Sequence, residues 1–414
     1  MDNTNTVCVL PWNSIAIGST GAGFPLMVCC NSNDGTIHAN NGKVATTTDL
    51  PQLYDMTFTK NLKLDLFAGV KNSLCSRCWA MEPHSFRVGL NNAYPTAHSK
   101  ILSTPPGEIL QKFPLEHITL NIGNTCNLAC RMCYPHSSSM IEKEWSSQTV
   151  PNNKNFKLIN KQPDAYNATV LGDQAFIEFV KNNNADLKSI YIYGGEPLII
   201  IEEHLNFLQM LVDAGVSKNI TLHYSTNGTN RNIRRFAEIW KEFQLVDIQI
   251  SIDGFTDAYE YVRWPNTWSK IENSLRSFKE LSDSKIVTVS IAATVSALTI
   301  YTLNDLLTYL KDTYDFHTLL IPVSNPDYLS LDVVPIKELI SILKNWTYID
   351  PSNQTDIKSI VTPFIERYSN MTVDQERDRK KPLYDAFVEV MQWQDAYRNQ
   401  SLFDTYPQSR NWYE

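Results

Sequence analysis

The sequence predicts an α/β protein built on a parallel sheet, and three observations carry that expectation. Six segments with strand character alternate with amphipathic helical segments between about residues 116 and 330. Such alternation is the signature of βαβ units. Three short polar, glycine-bearing motifs each follow a strand segment, and a cysteine triplet follows the first strand. All four therefore fall at the carboxyl end of the strands, where barrel-type folds gather their chemistry. Six units make a partial (β/α)6 barrel of the TIM type. Residues 1–115 read as a cysteine-rich module ahead of it, residues 116–330 as the barrel, and residues 331–414 as a helical extension.

Composition narrows the function classes. A chain of 414 residues forms two or three domains and can bury a large core. With 19% charged and 43% hydrophobic residues it is globular rather than disordered. A net charge of −8 and the lack of a basic block argue against a nucleic-acid partner. The start Met1-Asp2-Asn3-Thr4-Asn5-Thr6 is polar and reads as no secretory signal. Ile286 to Asn304 is uncharged and long enough to span a membrane, but its Thr, Ser, Ala and β-branched residues read as a strand, a turn and a helix start. The expectation is a soluble, cytoplasmic protein with no membrane partner, in a compartment where thiols stay reduced. The eight cysteines are then metal or cluster ligands rather than disulfides.

Taken in order, the N-terminal module has few periodic patterns and many Gly, Asn, Thr and Pro residues. A metal centre is one remedy for so weak a core. Its candidate ligands are Cys8 in Cys8-Val9-Leu10-Pro11-Trp12, one of Cys29 and Cys30 with Cys29 favoured, and Cys75 and Cys78 in Cys75-Ser76-Arg77-Cys78-Trp79. A four-cysteine zinc site is the other reading of this set. Asp49 to Gly69 looks helical, with Leu53, Met56, Leu62, Leu64 and Phe67 on its apolar face. Pro105-Pro106-Gly107 marks the passage to the next domain.

The strand segments are 117–122, 189–193, 220–225, 246–252, 286–291 and 317–322, with helical patterns at 175–181, 205–214, 231–243 and 268–281. After the first strand comes Cys126-Asn127-Leu128-Ala129-Cys130-Arg131-Met132-Cys133. Three soft thiolates at this spacing can wrap one inorganic centre and leave a coordination position open. A zinc knuckle or plain structural thiols are the alternatives for a bare triplet. Gly194-Gly195-Glu196-Pro197, Ser225-Thr226-Asn227-Gly228 and Ser251-Ile252-Asp253-Gly254 close the next three strands. Paired glycines let backbone carbonyls approach a ligand, and carbonyls with a carboxylate suit an ammonium group. Arg263 offers a fork that fits a carboxylate. The insertion Tyr134 to Tyr166 lacks periodicity and reads as surface decoration. In the extension, 336–346 and 373–397 look helical, the second with Leu383, Phe387, Val390, Met391 and Trp393 as core.

The Cys126, Cys130, Cys133 triplet with these strand-end motifs resembles the radical S-adenosylmethionine (radical SAM) superfamily. The Cys8, Cys29/Cys30, Cys75 and Cys78 pattern resembles the auxiliary-cluster modules called SPASM and twitch, in the form placed ahead of the core. The tail Asp395 to Phe403 is similar to that of twitch-containing members. The resemblance implies a [4Fe-4S] cluster on Cys126, Cys130 and Cys133, with SAM on its open iron. It also implies a second, auxiliary [4Fe-4S] cluster on Cys8, Cys29, Cys75 and Cys78. By the same resemblance Gly194, Gly195 and Glu196 hold the amino group of SAM, while Ser225, Asn227 and Ser251 bind its ribose hydroxyls or carboxylate. Arg263 matches a recurrent carboxylate-binding arginine. Met132 stands where the family commonly has an aromatic residue near the adenine. The implied reaction is reductive cleavage of SAM to a 5′-deoxyadenosyl radical that takes hydrogen from a substrate, with a reductant such as flavodoxin or ferredoxin. The expected substrate is a peptide or protein side chain. A sugar or other small molecule is the alternative, as is a non-catalytic iron–sulfur or zinc protein. No residue stands out as a catalytic acid or base.

Overall fold

A computed structural model describes residues 6–19, 23–29, 31–32, 35–80, 82, 86–149, 151, 169–229, 232–349 and 356–413. By its internal packing the chain divides into two compact units. The first takes in Met1–Asn124, Pro163–Tyr224 and Arg234–Val246, and the second Thr125–Gln162, Ser225–Ile233 and Asp247–Glu414.

The first unit is organised on the strands β1 (Ser14–Ile17), β2 (Leu26–Met27), β3 (His117–Asn121), β4 (Ser189–Tyr193) and β5 (Thr221–Thr226), in the order β2-β1-β3-β4-β5. β2 runs antiparallel to β1; the other pairings are parallel, with Ser14 opposite His117, His117 opposite Ser189 and Ser189 opposite Thr221. Alternate residues Ile118 and Leu120, Ile190 and Ile192, and Leu222 and Tyr224 are buried, as the period of two in a strand requires. The helices Gln174–Asn183, Ile201–Asp213 and Ile233–Trp240 bury Phe176, Phe179, Phe207, Leu211, Phe236 and Trp240.

Two features of this unit differ from the sequence-based expectation. Asp49 to Gly69 is not one helix: a 3-10 helix Thr47–Asp55 precedes the α-helix Thr57–Phe67, with Met56 extended between them. Pro51 lacks the N–H an α-helix would need there, and the Thr46–Asp49 capping box starts the 3-10 segment. The break also turns Leu64 outward, to 44% exposure. The N-terminal segment, moreover, supplies β1 to the sheet and carries the helices Phe86–Ala93 and Pro95–Ser103.

The second unit contains β6 (Leu245–Ser251), β7 (Thr288–Val295) and β8 (His317–Pro322), all parallel, with Asp247 opposite Thr288 and Ser290 opposite His317. The uncharged stretch 286–304 resolves into β7, a turn in which Ser296 and Thr299 bond one another, and the start of the helix Leu303–Tyr314. The helices Ile336–Lys344, Ile357–Tyr368 and Val373–Arg398 follow. In the last of these Phe387, Val390 and Met391 are buried as expected, but Trp393 is half-buried while the polar Gln394, Asp395 and Arg398 are inside. The segment after Tyr134 is also not mere decoration. Ser138 caps the helix Ser139–Ser146, which buries Ile141, Glu144 and Trp145; residues 152–168 lie outside the described residues. The fold is thus a mostly parallel α/β sheet that is not closed, followed by C-terminal helices. Among the described residues no helix is long and apolar enough to cross a membrane.

Candidate active site

In the second unit the cysteine loop is clamped along its backbone. Cys126 N–H donates to Ser139 Oγ at 3.2 Å, and Ser138 Oγ donates to the Leu128 carbonyl at 2.6 Å. Ala129 N–H donates to the Trp264 carbonyl and Arg131 N–H to the Val262 carbonyl, at 2.8 and 2.9 Å. Cys130 is thereby held from both sides.

Arg131, inside the motif, is the anchor. It is fully buried, with its guanidinium 3.5 Å from the ring centre of Tyr261. It donates to the carbonyls of Tyr261 and Met391 and to Gln394, Gln400 and Asp395, the last at 2.5 Å. A second buried pair, Arg398 with Glu144, is also fully enclosed. The sequence reading missed both pairs, because nothing in spacing or composition says that these four charged residues turn inward.

Burial pushes the thiols of Cys130 and Cys133 up, and Cys133 is raised further by Cys130 and Cys126 beside it. Three half-buried thiols so close ionise together only against positive charge, which is what cluster iron would supply. The donor set fits the cluster. Asn227 donates from Nδ2 to Asn127 Oδ1 at 2.9 Å, with Cys126 Sγ 3.8 Å away. Gly228, with φ of +73°, is required here, since a Cβ would come within 2.6 Å of Ile250. Ser225, Ser251 and Met132 are half-buried. Arg263 is buried and engaged. Its Nε and Nη2 hold Asp253 at 2.9 and 2.5 Å, and the other oxygen of Asp253 accepts from the backbone and hydroxyl of Thr294, each at 2.7 Å. Burial works against the Arg263 charge, but Asp253 and Cys130 more than restore it. Asp253 is the partner of Arg263.

In the first unit, β4 leads into Gly194-Gly195-Glu196. Gly194 has φ of +138°, and a Cβ there would lie 2.7 Å from the Gly123 carbonyl, which also accepts from Gly195 N–H at 2.7 Å. Only glycine fits this approach. Glu196 is fully buried and caps the short 3-10 turn that follows, accepting from Leu198 N–H at 3.0 Å.

The first unit also gathers Cys8, Cys29, Cys75 and Cys78. Burial raises the Cys8 thiol, and Cys29, Cys75 and Cys78 each add to the rise; the Cys75 thiol is pushed up to about 12 by burial, Cys29 and Cys78. Asn31 Nδ2 lies 3.5 Å from Cys78 Sγ. Residues missed in the sequence hold this set in place. Asn91 accepts from Val9 N–H and donates to the Val7 carbonyl, which also accepts from Arg87. Arg87 pairs with Glu82 and lies over the Trp79 ring. All seven described cysteines are free thiols, and Cys30 lies outside the described residues. Among the described residues no three His, Cys, Asp or Glu side chains meet as a single-ion site.

Residues 120–308 match the family model described as the radical SAM superfamily. That family implies a [4Fe-4S] cluster and SAM. No curated protein matches the chain. Among solved structures the chain is similar to anSMEcpe with bound AdoMet, at 22% identity over 56% of this chain and 59% of that one, with a TM-score of 0.40. It is also similar to SuiB of Streptococcus suis bound to S-adenosylmethionine, at 14% identity over 80% and 67%, with a TM-score of 0.37. A third likeness, at 14% identity over 58% and 76% with a TM-score of 0.29, is to TYW1 with a lysine-pyruvate adduct bound. The chain spans about three fifths of the length of anSMEcpe.

Proposed function

We propose that this protein is a radical SAM enzyme with a second, auxiliary [4Fe-4S] cluster, acting on a C–H bond of a peptide or protein side chain. The observation that carries the reading is the clamped loop in which Cys126, Cys130 and Cys133 stand together. When bound, the cluster supplies the electron for reductive cleavage of SAM. The chain's own residues bind and orient. Cys126, Cys130 and Cys133 leave one coordination position for the SAM amino and carboxylate groups. The carbonyls of Gly194 and Gly195, with Glu196, accept from the ammonium; Glu196 keeps one oxygen on Leu198 N–H. Ser225, Asn227 and Ser251 hydrogen-bond the ribose and carboxylate, and Met132 packs beside the adenine. Arg263 has two nitrogens on Asp253, and its remaining nitrogen would serve the carboxylate. Cys8, Cys29, Cys75 and Cys78 would hold the auxiliary cluster, which would supply an electron acceptor or a substrate-binding position. The peptide class follows from the resemblance of this module to those of peptide-modifying relatives; a sugar or small metabolite is the second substrate class. A low-potential flavodoxin or ferredoxin and a cytoplasmic setting go with clusters of this kind.

The test is anaerobic reconstitution followed by iron analysis and assay of 5′-deoxyadenosine. The expected result is about eight irons per chain, falling to about four in a Cys126/Cys130/Cys133→Ala variant and to about four in a Cys75/Cys78→Ala variant. Only the first variant should lose SAM cleavage entirely. Zinc in place of iron, or iron without any 5′-deoxyadenosine, would leave a metal-binding protein rather than an enzyme.

A further inference from the structure

Beside Cys130 lies a buried charge whose hydrogen-bonding capacity the protein does not use up. Arg398 is the last residue of the helix Val373–Arg398, and its side chain is fully buried. Nε and Nη2 hold the Glu144 carboxylate, the closest approach being 2.8 Å. Its guanidinium centre lies 5.6 Å from the ring centre of Trp264. The carbonyl of that same Trp264 accepts from Ala129, the residue before Cys130. Arg398 therefore lies over the ring of the residue whose carbonyl fixes the backbone next to Cys130. The remaining nitrogen, Nη1, is buried and has no hydrogen-bond acceptor among the described residues. A buried charged donor without an acceptor is costly, and Glu144 already occupies the other edge of the fork.

We propose that Arg398 sets the reduction potential of the cluster held by Cys126, Cys130 and Cys133, by donating from Nη1 to a sulfur on its Cys130 side. Hydrogen bonds to cluster sulfurs and the net charge around them are main determinants of such potentials. Electron entry makes the sulfurs more negative, so a charge-assisted donor favours the reduced state and raises the potential. Glu144 aims the fork, and Trp264 supports its face. This inference rests on the cluster reading above.

The experiment is an anaerobic redox titration of the reconstituted protein, following by EPR the signal that changes shape when SAM is added. Arg398→Gln alone would leave Glu144 buried and unpaired, so the variant of choice is Glu144→Gln/Arg398→Gln, which keeps the local net charge and removes the guanidinium donor. Its midpoint is expected to fall below wild type with iron content and SAM response retained. Arg398→Lys, which keeps the charge and a contact to Glu144, covers the case in which the double variant does not fold; it should shift in the same direction. An unmoved midpoint in either folded variant overturns the inference. A wild-type protein with no SAM-responsive iron–sulfur signal would instead overturn the cluster reading, and this inference with it.

Discussion

Replacing Arg131 should damage the cluster loop and the C-terminal helix together. The side chain is fully buried, its partner Asp395 is 8% exposed, and five acceptors on three chain segments converge on its nitrogens. Removing one partner of a buried pair costs about 3–5 kcal/mol, because the other charge is left uncompensated. The lost bonds to the Tyr261 and Met391 carbonyls add to this. Against a domain stability of about 5–15 kcal/mol, that is about a fifth of the total or more. For a unit of this size it corresponds to a fall in melting temperature of roughly 6–20 °C. We predict that Arg131→Met lowers the unfolding free energy of the cluster-free protein by about 3–5 kcal/mol, read by urea denaturation. Asp395→Asn alone should cost less, since a neutral amide still accepts from Arg131. Arg131→Met/Asp395→Leu should recover part of the loss, because a buried pair exchanged for apolar groups is often neutral. The double-mutant cycle then reads the coupling directly. A loss below about 1 kcal/mol for Arg131→Met, or additive effects in the cycle, would refute the view that this pair ties the motif to the helix.

Two further outcomes follow from other sites. Gly194→Ala puts a Cβ 2.7 Å from the Gly123 carbonyl at a φ of +138°; we expect a cost of about 1–3 kcal/mol and weaker SAM binding by equilibrium dialysis. Gly89→Ala, in a helix with open space around it, should be neutral or slightly stabilising, and equal losses at both glycines would contradict the close-approach argument. Lys63 is fully buried with no hydrogen-bond partner for Nζ among the described residues, 4.8 Å from the Tyr54 ring centre, and burial holds its pKa down at about 8. Because the folded-state pKa lies below the unfolded one, the unfolded chain binds more protons between about pH 8 and 10.5, and stability from this group rises with pH across that window. Lys63→Met should stabilise the protein at pH 7 by about 1–2 kcal/mol, net of the lost cation–π contact, and flatten that rise; a destabilised variant with an unchanged pH profile would show that Lys63 is satisfied.

What the sequence disclosed of this fold follows from what side-chain patterning encodes. β3, β4 and β8 lie where their alternation placed them because one face of each is packed: Ile118, Leu120, Ile190 and Ile192 are buried and their neighbours are less so. The period is short, regular and local. β1 escaped notice because four residues, all buried, show no alternation at all. The single helix expected over 49–69 failed for a local reason as well, since the apolar spacing of Leu53, Met56 and Leu62 is indifferent to the extended Met56 that Pro51 and the 3-10 turn impose. Of the candidate ligands, each cysteine was visible as a cysteine, and the glycines of Gly194-Gly195 and Gly228 as glycines, because chemistry or φ leaves no substitute there.

The charged residues around the loop were not legible, and the reason bears on function. Arg131, Glu144, Asp395 and Arg398 look in sequence like solvated polar positions, since a charged side chain signals exposure unless a partner far along the chain is known. Glu144 and Arg398 are separated by 254 residues, Arg131 and Asp395 by 264. Apolar residues at these positions would recover much of the stability that the pairs supply, by the usual balance of desolvation against pairing. Two guanidiniums and two carboxylates placed inside, on the elements that grip three thiols, are therefore poorly explained as stabilisers. They do provide a fixed field and an oriented donor at the place where three thiolates and an added electron would otherwise repel one another. On that argument the C-terminal helix belongs to the proposed cluster site, and its buried polar face is the portion of that site that no motif in the core sequence announces.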